Sequence, residues 1–163
     1  MKFDVIIPLR SKSEGLKNKN ILKFSNNDNL TNYTIKKIIN FKLINKIYIL
    51  TDSKKYKKKI LSHNKIDKSF IRKKKHSNRN SKIQDLVLDF LKSFNHNCPT
   101  NLVLLQVTSP LLSKEEILKT LNFIKKKKIE SLFHISRVLE HPNEIVIGKN
   151  SNWKFLIKKR ITN

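Results

Sequence analysis

Three short apolar runs constrain the fold of this chain more than any other feature. They are Phe3–Pro8, Ile47–Leu50 and Leu102–Val107, and Asp4 is the only charged residue among them. Runs of this kind, which do not alternate with polar residues, are typical of strands buried on both faces, as in a parallel sheet covered by helices. We therefore expect these three segments to be strands of one buried sheet.

Helical patterns lie between these strands. Apolar residues recur at helical spacing from about Asn32, and Ser113 with Glu116 has the form of a capping box. The other predicted helices run from Ser53 to about Ser62, from Ser81 to Phe94 and from Ser113 to about Lys127, with Ser53 and Ser81 as N-caps. Further strands are predicted at Ser69–Ile71 and Ser131–Val138, and Glu144–Ile147 and Trp153–Ile157, around Gly148-Lys149-Asn150, fit either a hairpin or an extended arm. This alternation predicts a single three-layer α/β/α domain over 1–163, Rossmann-like, with a mostly parallel sheet.

The formal charge of +24 attracts polyanions in principle, but the composition offers a second explanation. Only five of the 36 basic residues are Arg, and the chain has two Gly and no Ala. This usage follows A- and T-rich codons. A dedicated nucleic-acid surface more often uses Arg and interleaved aromatic residues. The charge therefore leaves the binding of small anions open and disfavours nucleic acid as the main partner.

The cysteine count and the hydropathy of the chain limit where the protein is expected to be found. Cys98 is the only cysteine, so no internal disulfide can form. No apolar run approaches the ~20 residues that span a membrane, and Met1–Asp4 leads into a strand-like run rather than a signal peptide. We expect a cytoplasmic protein without a membrane partner.

Three polar segments follow predicted strands: Leu9–Asn20, Thr51–Ser53 and Thr108–Pro110. Ligands of open α/β sheets bind beyond the carboxyl ends of the strands. The first segment contains Arg10, Gly15 and Lys19, so it fits either a phosphate cradle or a plain solvated loop. It is neither a P-loop nor a dinucleotide fingerprint.

Several motifs in order resemble one family. The sequence I-I-P-L-R-S-K-S-E-G over residues 6–15, followed by Lys19-Asn20-Ile21, resembles the opening motif of the acylneuraminate (CMP-sialic acid synthetase-type) cytidylyltransferases, and L-L-Q-V-T-S-P-L over 104–111 resembles their L-L-Q-P-T-S-P-L. Smaller matches are Thr51-Asp52, Arg72, Asp85-Leu86 and the segment from Ser131 to His141-Pro142. Enzymes that activate the eight-carbon sugar Kdo carry a different, acidic segment at the second motif. The resemblance therefore indicates the nonulosonic-acid branch, for neuraminic, legionaminic or pseudaminic acid.

The resemblance implies a nucleotide-diphospho-sugar-transferase-like fold and the transfer of CMP from CTP to an acidic nine-carbon sugar, with release of pyrophosphate. It implies Arg10 and Lys19 as catalytic residues that hold phosphate oxygens. The nucleotide-binding residues it implies are Leu9, Arg10, Ser13, Gly15, Lys19, Asn20 and Arg72, and the sugar-binding residues are Gln106, Thr108 and Ser109. A divalent metal, Mg²⁺, is expected to bridge the phosphates. Asp52 is interpreted as an acid at the start of a helix.

Some positions depart from the family pattern. Ser11 and Lys12 replace its paired glycines, and Glu14 places a negative charge where the family has a positive one. The chain ends at Asn163, so we expect it to lack the family's dimer-forming stretch and metal-binding aspartates, although a homodimer remains an expectation. Three hypotheses stay open: an active cytidylyltransferase, a non-catalytic nucleotide- or sugar-binding remnant, and a basic nucleic-acid-binding protein.

Overall fold

A computed structural model describes most of the chain. The described residues are 1–11, 16–23, 28–78, 80–94 and 98–135, together with the backbone of 146–149 and 152–155. They belong to two compact units, Met1–Lys128 and Ile129–Asn163, which are described separately. The single domain expected over 1–163 stays a prediction.

The first unit is built on a parallel sheet. The strands among its described residues follow the order β3-β2-β1-β4, and each neighbouring pair is parallel. The strands are β1 (Phe3–Leu9), β2 (Ile44–Thr51), β3 (Ile66–Asp67) and β4 (Leu102–Leu104), and the helices are α1 (Leu30–Ile38), α2 (Lys54–Lys59), α3 (Ile83–Leu91) and α4 (Lys114–Lys127). The predicted α/β class with a mostly parallel sheet is confirmed.

Helices cover both faces of this sheet, because β1 and β2 are apolar on both sides. Val5 and Ile7 belong to a buried cluster that includes residues of α1, α2 and α4. Ile6 packs instead with Leu50 and with Phe90 of α3. Successive residues of a strand face opposite sides, so one apolar run fills two cores. The predicted three layers are therefore confirmed.

Aromatic rings fix α3 on its face of the sheet. The Phe90 ring is surrounded by those of Tyr48, Phe70 and Phe94, with centroid separations of 5.0, 5.4 and 5.1 Å. The rings meet tilted or edge to face, which is the arrangement that aromatic pairs favour. This packing holds α3 against β2 through Tyr48.

Side-chain caps set the N-termini of α1 and α4. Asn29 Oδ1 accepts a hydrogen bond from the Asn32 amide at 2.9 Å, so α1 begins at Leu30, two residues before the predicted start. In α4 the Glu116 amide donates to Ser113 Oγ at 3.1 Å and the Ser113 amide donates to Glu116 Oε2 at 2.8 Å. The predicted capping box and the predicted end at Lys127 are both confirmed.

The strand predicted at Ser69–Ile71 is wrong. The strand is Ile66–Asp67, which pairs with β2, and Ile71 makes only an isolated bridge to Thr51. The Asp67 carboxylate accepts hydrogen bonds from the Ser69 amide at 2.7 Å and the Ser69 hydroxyl at 2.6 Å. Such a side-chain turn competes with strand pairing, so β3 ends early.

The strand predicted at Leu102–Val107 is shorter than expected. Pairing with β1 covers Leu102–Leu104, and the Ser109 amide then donates to the Gln106 carbonyl at 3.4 Å. Leu104 is 41% exposed because β4 is an edge strand of the described sheet. Leu104 is therefore less buried than the composition of the strand predicts.

Ser81 does not cap α3. Its hydroxyl lies 2.7 Å from both the His76 and the Asn78 carbonyl oxygens, so it can donate to either. The helix begins at Ile83 with Lys82 at the cap position, one residue later than a cap at Ser81 requires. The predicted N-cap is therefore wrong, although the helix itself is confirmed over Ile83–Leu91.

The second unit contains a hairpin, one of the two predicted alternatives. Strands β5 (Val146–Lys149) and β6 (Asn152–Phe155) pair antiparallel, with Gly148 opposite Trp153. The strand predicted at Ser131–Val138 is absent over 131–135, and 136–138 lie outside the described residues.

The aromatic cluster around Phe90 predicts a large loss of stability when Phe90 is truncated. Phe90→Ala should lower the free energy of unfolding by about 3–5 kcal/mol, because it empties the centre of a packed cluster. Leu88→Ala on the same helix is the matched control, since Leu88 is 54% exposed, and it should cost less than about 1 kcal/mol. Urea unfolding followed by circular dichroism measures both, and equal losses would contradict the packing of α3.

Candidate functional site

The carboxyl ends of β1 and β2 lie side by side. Leu9, the last residue of β1, is paired with Thr51, the last residue of β2. Ser11 consequently lies next to Asp52: its amide donates to Asp52 Oδ1 and its hydroxyl to Asp52 Oδ2, both at 2.8 Å. Parallel register therefore brings together two polar turns that are 41 residues apart in sequence.

Tyr56 of α2 lies against the same turn. Its hydroxyl is 3.2 Å from the Ser11 carbonyl oxygen and 3.4 Å from Asn18 Oδ1, so it can donate to either. The side chain is buried, and burial together with the negative charge of Asp52 raises the pKa of the Tyr56 phenol. The phenol therefore stays protonated as a donor at neutral pH.

A short 3-10 turn over Lys19–Ile21 carries the next predicted residues. Asn20 is buried, and its carbonyl accepts a hydrogen bond from the Thr31 hydroxyl at 2.7 Å. Its Nδ2 lies 3.5 Å from the Arg10 carbonyl, whereas its buried Oδ1 has no hydrogen-bond partner among the described residues. Lys19 is exposed at the start of the turn. The turn therefore ties α1 to the backbone at Arg10 and presents a lysine to solvent.

Arg72 is the third charged residue at this edge. Its amide donates to the Thr51 carbonyl at 3.2 Å, and its guanidinium donates from both Nε and Nη2 to the His76 carbonyl. Burial lowers the pKa of Arg72, the negative charge of Asp52 opposes that shift, and the positive charge of Arg10 adds to it. Arg10, Asp52 and Arg72 thus interact electrostatically, and Arg72 stays charged because its pKa starts far above neutral.

The loop that holds Arg72 is fastened to α3. Lys73 Nζ lies 2.5 Å from Asp89 Oδ1, and the buried His76 Nε2 lies 3.7 Å from Asp89 Oδ2. A cavity of about 510 Å³ adjoins His76 and Asp89, and Arg72 is not part of its lining. The Asp89 carboxylate therefore anchors the loop to α3.

The predicted sugar-binding segment follows β4, on the other side of β1. Gln106, Thr108 and Ser109 are exposed there, and the Thr108 hydroxyl is 3.5 Å from Gln106 Oε1. Lys37 of α1 donates from Nζ to the Pro110 carbonyl at 2.5 Å and to the Leu112 carbonyl at 2.8 Å. A helix amine therefore fixes the end of this turn.

The structure brings some of the predicted residues together. Leu9, Arg10 and Asn20 lie at the carboxyl end of β1, with Arg72 beside them and Lys19 exposed on the adjoining turn. The Gln106–Ser109 turn follows the neighbouring strand β4. Ser13 and Gly15 lie outside the described residues. The predicted roles of all these residues stay predictions.

The sequence placed Asp52 at this edge, within the polar segment Thr51–Ser53, but it predicted neither the bonds of Asp52 to Ser11 nor the part of Tyr56 in the site. The predicted N-cap Ser53 is confirmed, since it accepts from the Tyr56 amide at 3.3 Å. Asp52 directly precedes this cap, and its carboxylate bonds across to Ser11. Tyr56 gave no signal of its part within a lysine-rich helix.

No metal site is formed by the described residues. They contain no cluster of three or more His, Cys, Asp or Glu side chains arranged for a metal ion. At the edge described above, both Asp52 oxygens accept hydrogen bonds from Ser11. The expected Mg²⁺ stays a prediction. Similarly, no described helix has the length and apolarity to cross a membrane.

The fold and the site define a class of protein. In open α/β sheets, ligands bind beyond the carboxyl ends of the strands where the strand order reverses, and Arg10 follows β1 at that point of this sheet. The sequence model of one family, described as Cytidylyltransferase, matches residues 5–154. The chain therefore belongs to the cytidylyltransferase family.

Individual relatives are consistent with that assignment. N-acylneuraminate cytidylyltransferases of Streptococcus agalactiae serotypes V and III are 32% identical to this chain over 145 and 144 residues, which is 88% and 87% of its length. The chain spans 34% of the length of each of these relatives. What those longer proteins do is therefore a proposal for this one.

Solved structures agree on the fold. A CMP:2-keto-3-deoxy-manno-octonic acid synthetase complexed with CTP aligns with a TM-score of 0.61 at 14% identity, over 78% of this chain and 49% of that one. The 2-C-methyl-D-erythritol 4-phosphate cytidylyltransferase of Francisella tularensis aligns at 0.53 and 15% identity, over 94% and 69%. At these identities the likeness establishes the fold alone.

The loop anchor predicts a pH-dependent stability. The hydrogen bond from Lys73, with the charges of Lys73, His76 and Lys75, lowers the pKa of Asp89 against the effect of burial. A carboxyl group with a lower pKa when folded contributes stability above its unfolded pKa of about 3.9 and loses it as the pH falls through the folded value. Asp89→Asn should therefore cost about 1 kcal/mol at pH 7 and progressively less in acid.

Urea unfolding at a series of pH values between 7 and 2.5 measures this effect. Glu130→Gln is the control, since Glu130 is exposed and its substitution should change the free energy of unfolding by less than about 0.5 kcal/mol at every pH. A cost of Asp89→Asn that stayed constant down to pH 2.5 would contradict the assigned ion pair.

Proposed function

We propose that this chain acts as a nucleotidyltransferase that transfers CMP from CTP to a nonulosonic acid and releases pyrophosphate. The observation that carries the proposal is the gathering of Arg10, Asn20 and Arg72 at the carboxyl ends of β1 and β2, with the Gln106–Ser109 turn on the neighbouring strand. The similarity to N-acylneuraminate cytidylyltransferases supports the choice of sugar class.

The charges at this edge suit a nucleoside triphosphate. Arg10 and Lys19 would offset the charge of the phosphates, and charge-assisted hydrogen bonds are the strongest type available for this. Arg72 has five N–H donors, of which Nε and one Nη2 hydrogen are used by the His76 carbonyl. The remaining donors would face the nucleotide from a guanidinium that is already held in place.

The second substrate would lie against the turn after β4. Gln106, Thr108 and Ser109 offer neutral donors and acceptors for a polyhydroxylated acid. The anomeric hydroxyl oxygen of the sugar acid would form a bond to the α-phosphorus of CTP as the bond from that phosphorus to the β-phosphate oxygen breaks. Pyrophosphate leaves with the electron pair, and the hydroxyl proton passes to solvent. Cations placed where this charge develops would accelerate the step.

Mg²⁺ is part of the proposal through the nucleotide. Magnesium in nucleotide enzymes is held by one or two carboxylates together with substrate phosphates. The described residues contain no group of three or more His, Cys, Asp or Glu side chains for a metal, and Asp52 is a carboxylate at the proposed site. The expected dependence is tested by repeating the binding measurement with EDTA in place of MgCl₂.

Arg10→Ala tests the nucleotide site directly. The full chain should bind CTP with Mg²⁺ in preference to ATP, GTP and UTP, measured by calorimetry at 200 mM salt so that nonspecific attraction is screened. Arg10→Ala should weaken CTP binding by about 10–100-fold, because a charged hydrogen bond to phosphate is lost. Lys119→Ala is the charge-matched control, since Lys119 is exposed on α4, and it should leave the affinity unchanged.

Release of pyrophosphate separates the competing functions. Wild type should release it when CTP is combined with a nonulosonic acid, and Arg10→Ala should reduce kcat/KM at least about 100-fold. If CTP binds but no pyrophosphate is released from it in the presence of a sugar acid of any of the three types, the chain is a binding remnant. Tight, steeply salt-dependent binding of RNA or DNA without a preference for CTP would identify a nucleic-acid-binding protein.

A further inference from the structure

Asp52 places a negative charge beside the cations of the proposed triphosphate site. Each of its oxygens accepts one hydrogen bond at 2.8 Å, and both donors belong to Ser11. Bonds to an ionised carboxylate are stronger than bonds between neutral groups. An acid next to an anion-binding site repels the anion, so its presence there calls for a second role. Here the acid holds Ser11, the residue that follows Arg10.

The alternative role, a helix cap, is already filled. Ser53 Oγ accepts from the Tyr56 amide at 3.3 Å, and the Ser53 amide is itself bonded to Thr51 Oγ1 at 3.3 Å. The Asp52 carboxylate bonds to Ser11, which follows β1, rather than along α2. Its contacts therefore belong to the turn after β1.

Ser11 is held at every polar group it has. Asp52 accepts from its amide and its hydroxyl, and the Tyr56 hydroxyl lies 3.2 Å from its carbonyl oxygen. A solvated turn does not require three tertiary hydrogen bonds at one residue. A turn that binds a ligand gains from them, because a fixed backbone has less conformational freedom to lose on binding.

We propose that Asp52 is a positioning residue that fixes the Arg10–Ser11 turn for binding the CTP phosphates. This inference rests on the proposed function and extends it to a residue that does not itself touch the nucleotide. The role is geometric, because Asp52 acts through its two bonds to Ser11. Its negative charge also interacts favourably with the charge of Arg72.

Two substitutions separate geometry from charge. Asp52→Ala removes both bonds. Asp52→Asn removes the charge but keeps the bonds, because Oδ1 still accepts from the Ser11 amide while Nδ2 donates to the Ser11 hydroxyl oxygen. Ser53→Ala is the matched control, since it removes the cap of the neighbouring helix without touching Ser11.

The experiment measures CTP affinity by calorimetry and amide hydrogen exchange of Ser11 by NMR, on the full chain. Asp52→Ala should weaken CTP binding about 10-fold and speed exchange at Ser11 by a similar factor. Asp52→Asn should stay within about threefold of wild type in both measurements. Ser53→Ala should lower the melting temperature without changing CTP affinity, which distinguishes positioning from a general loss of stability.

The remaining outcomes overturn the positioning role alone or together with the proposed function. If wild type binds CTP and Asp52→Ala binds it equally well, or Asp52→Asn is as weak as Asp52→Ala, the positioning role is overturned and the proposed function stands. If wild type binds no CTP, the proposed function fails and takes the positioning role with it. Should Asp52→Ala not fold, Ser11→Ala replaces it, with an expected loss of about threefold, and an unchanged affinity overturns the role.

Discussion

The parallel pairing of β1 with β2 is the constraint on which the rest of this structure depends. Both strands are buried on both faces, so their register is fixed by two cores at once. That register sets Leu9 opposite Thr51, which brings Ser11 to Asp52. The Arg72 amide then bonds the Thr51 carbonyl and adds a third segment to the same edge. A slip of one residue would separate all of these groups.

The large positive charge is used in two ways. Several lysines donate to main-chain carbonyls: Lys37 to Pro110 and Leu112, Lys65 to Ile39 and Phe41, and Lys68 to Lys57 and Ile60. These amines satisfy carbonyls at turns and helix ends, so they contribute to the fold. Other cations, Arg10 and Arg72 among them, are placed at the edge proposed to bind an anion. Composition alone does not separate these two uses, because both need only a long cationic side chain.

The sequence predicted what depends on local pattern. Continuous apolar runs located β1 and β2, and the spacing of Ser113 and Glu116 located the start of α4. The third strand was misplaced because an Asp67 side-chain turn, which only the structure reveals, ends it early. The bonds of Asp52 to Ser11 were not predicted either, because the pairing of two strands brings together residues that are 41 positions apart. Family resemblance supplied Arg10, Asn20 and Arg72, and the structure adds the contacts that hold them.

The most direct test of this account is a crystal structure of the full chain with CTP. We expect a triphosphate against Arg10 and Lys19 at the carboxyl end of β1. The Arg72 guanidinium should contact the nucleotide, and both Ser11–Asp52 bonds should be intact. A nucleotide bound only in the cavity beside His76 and Asp89, or along the lysines at the end of α4, would contradict it. In that case the gathering of cations at the sheet edge would not be a nucleotide site.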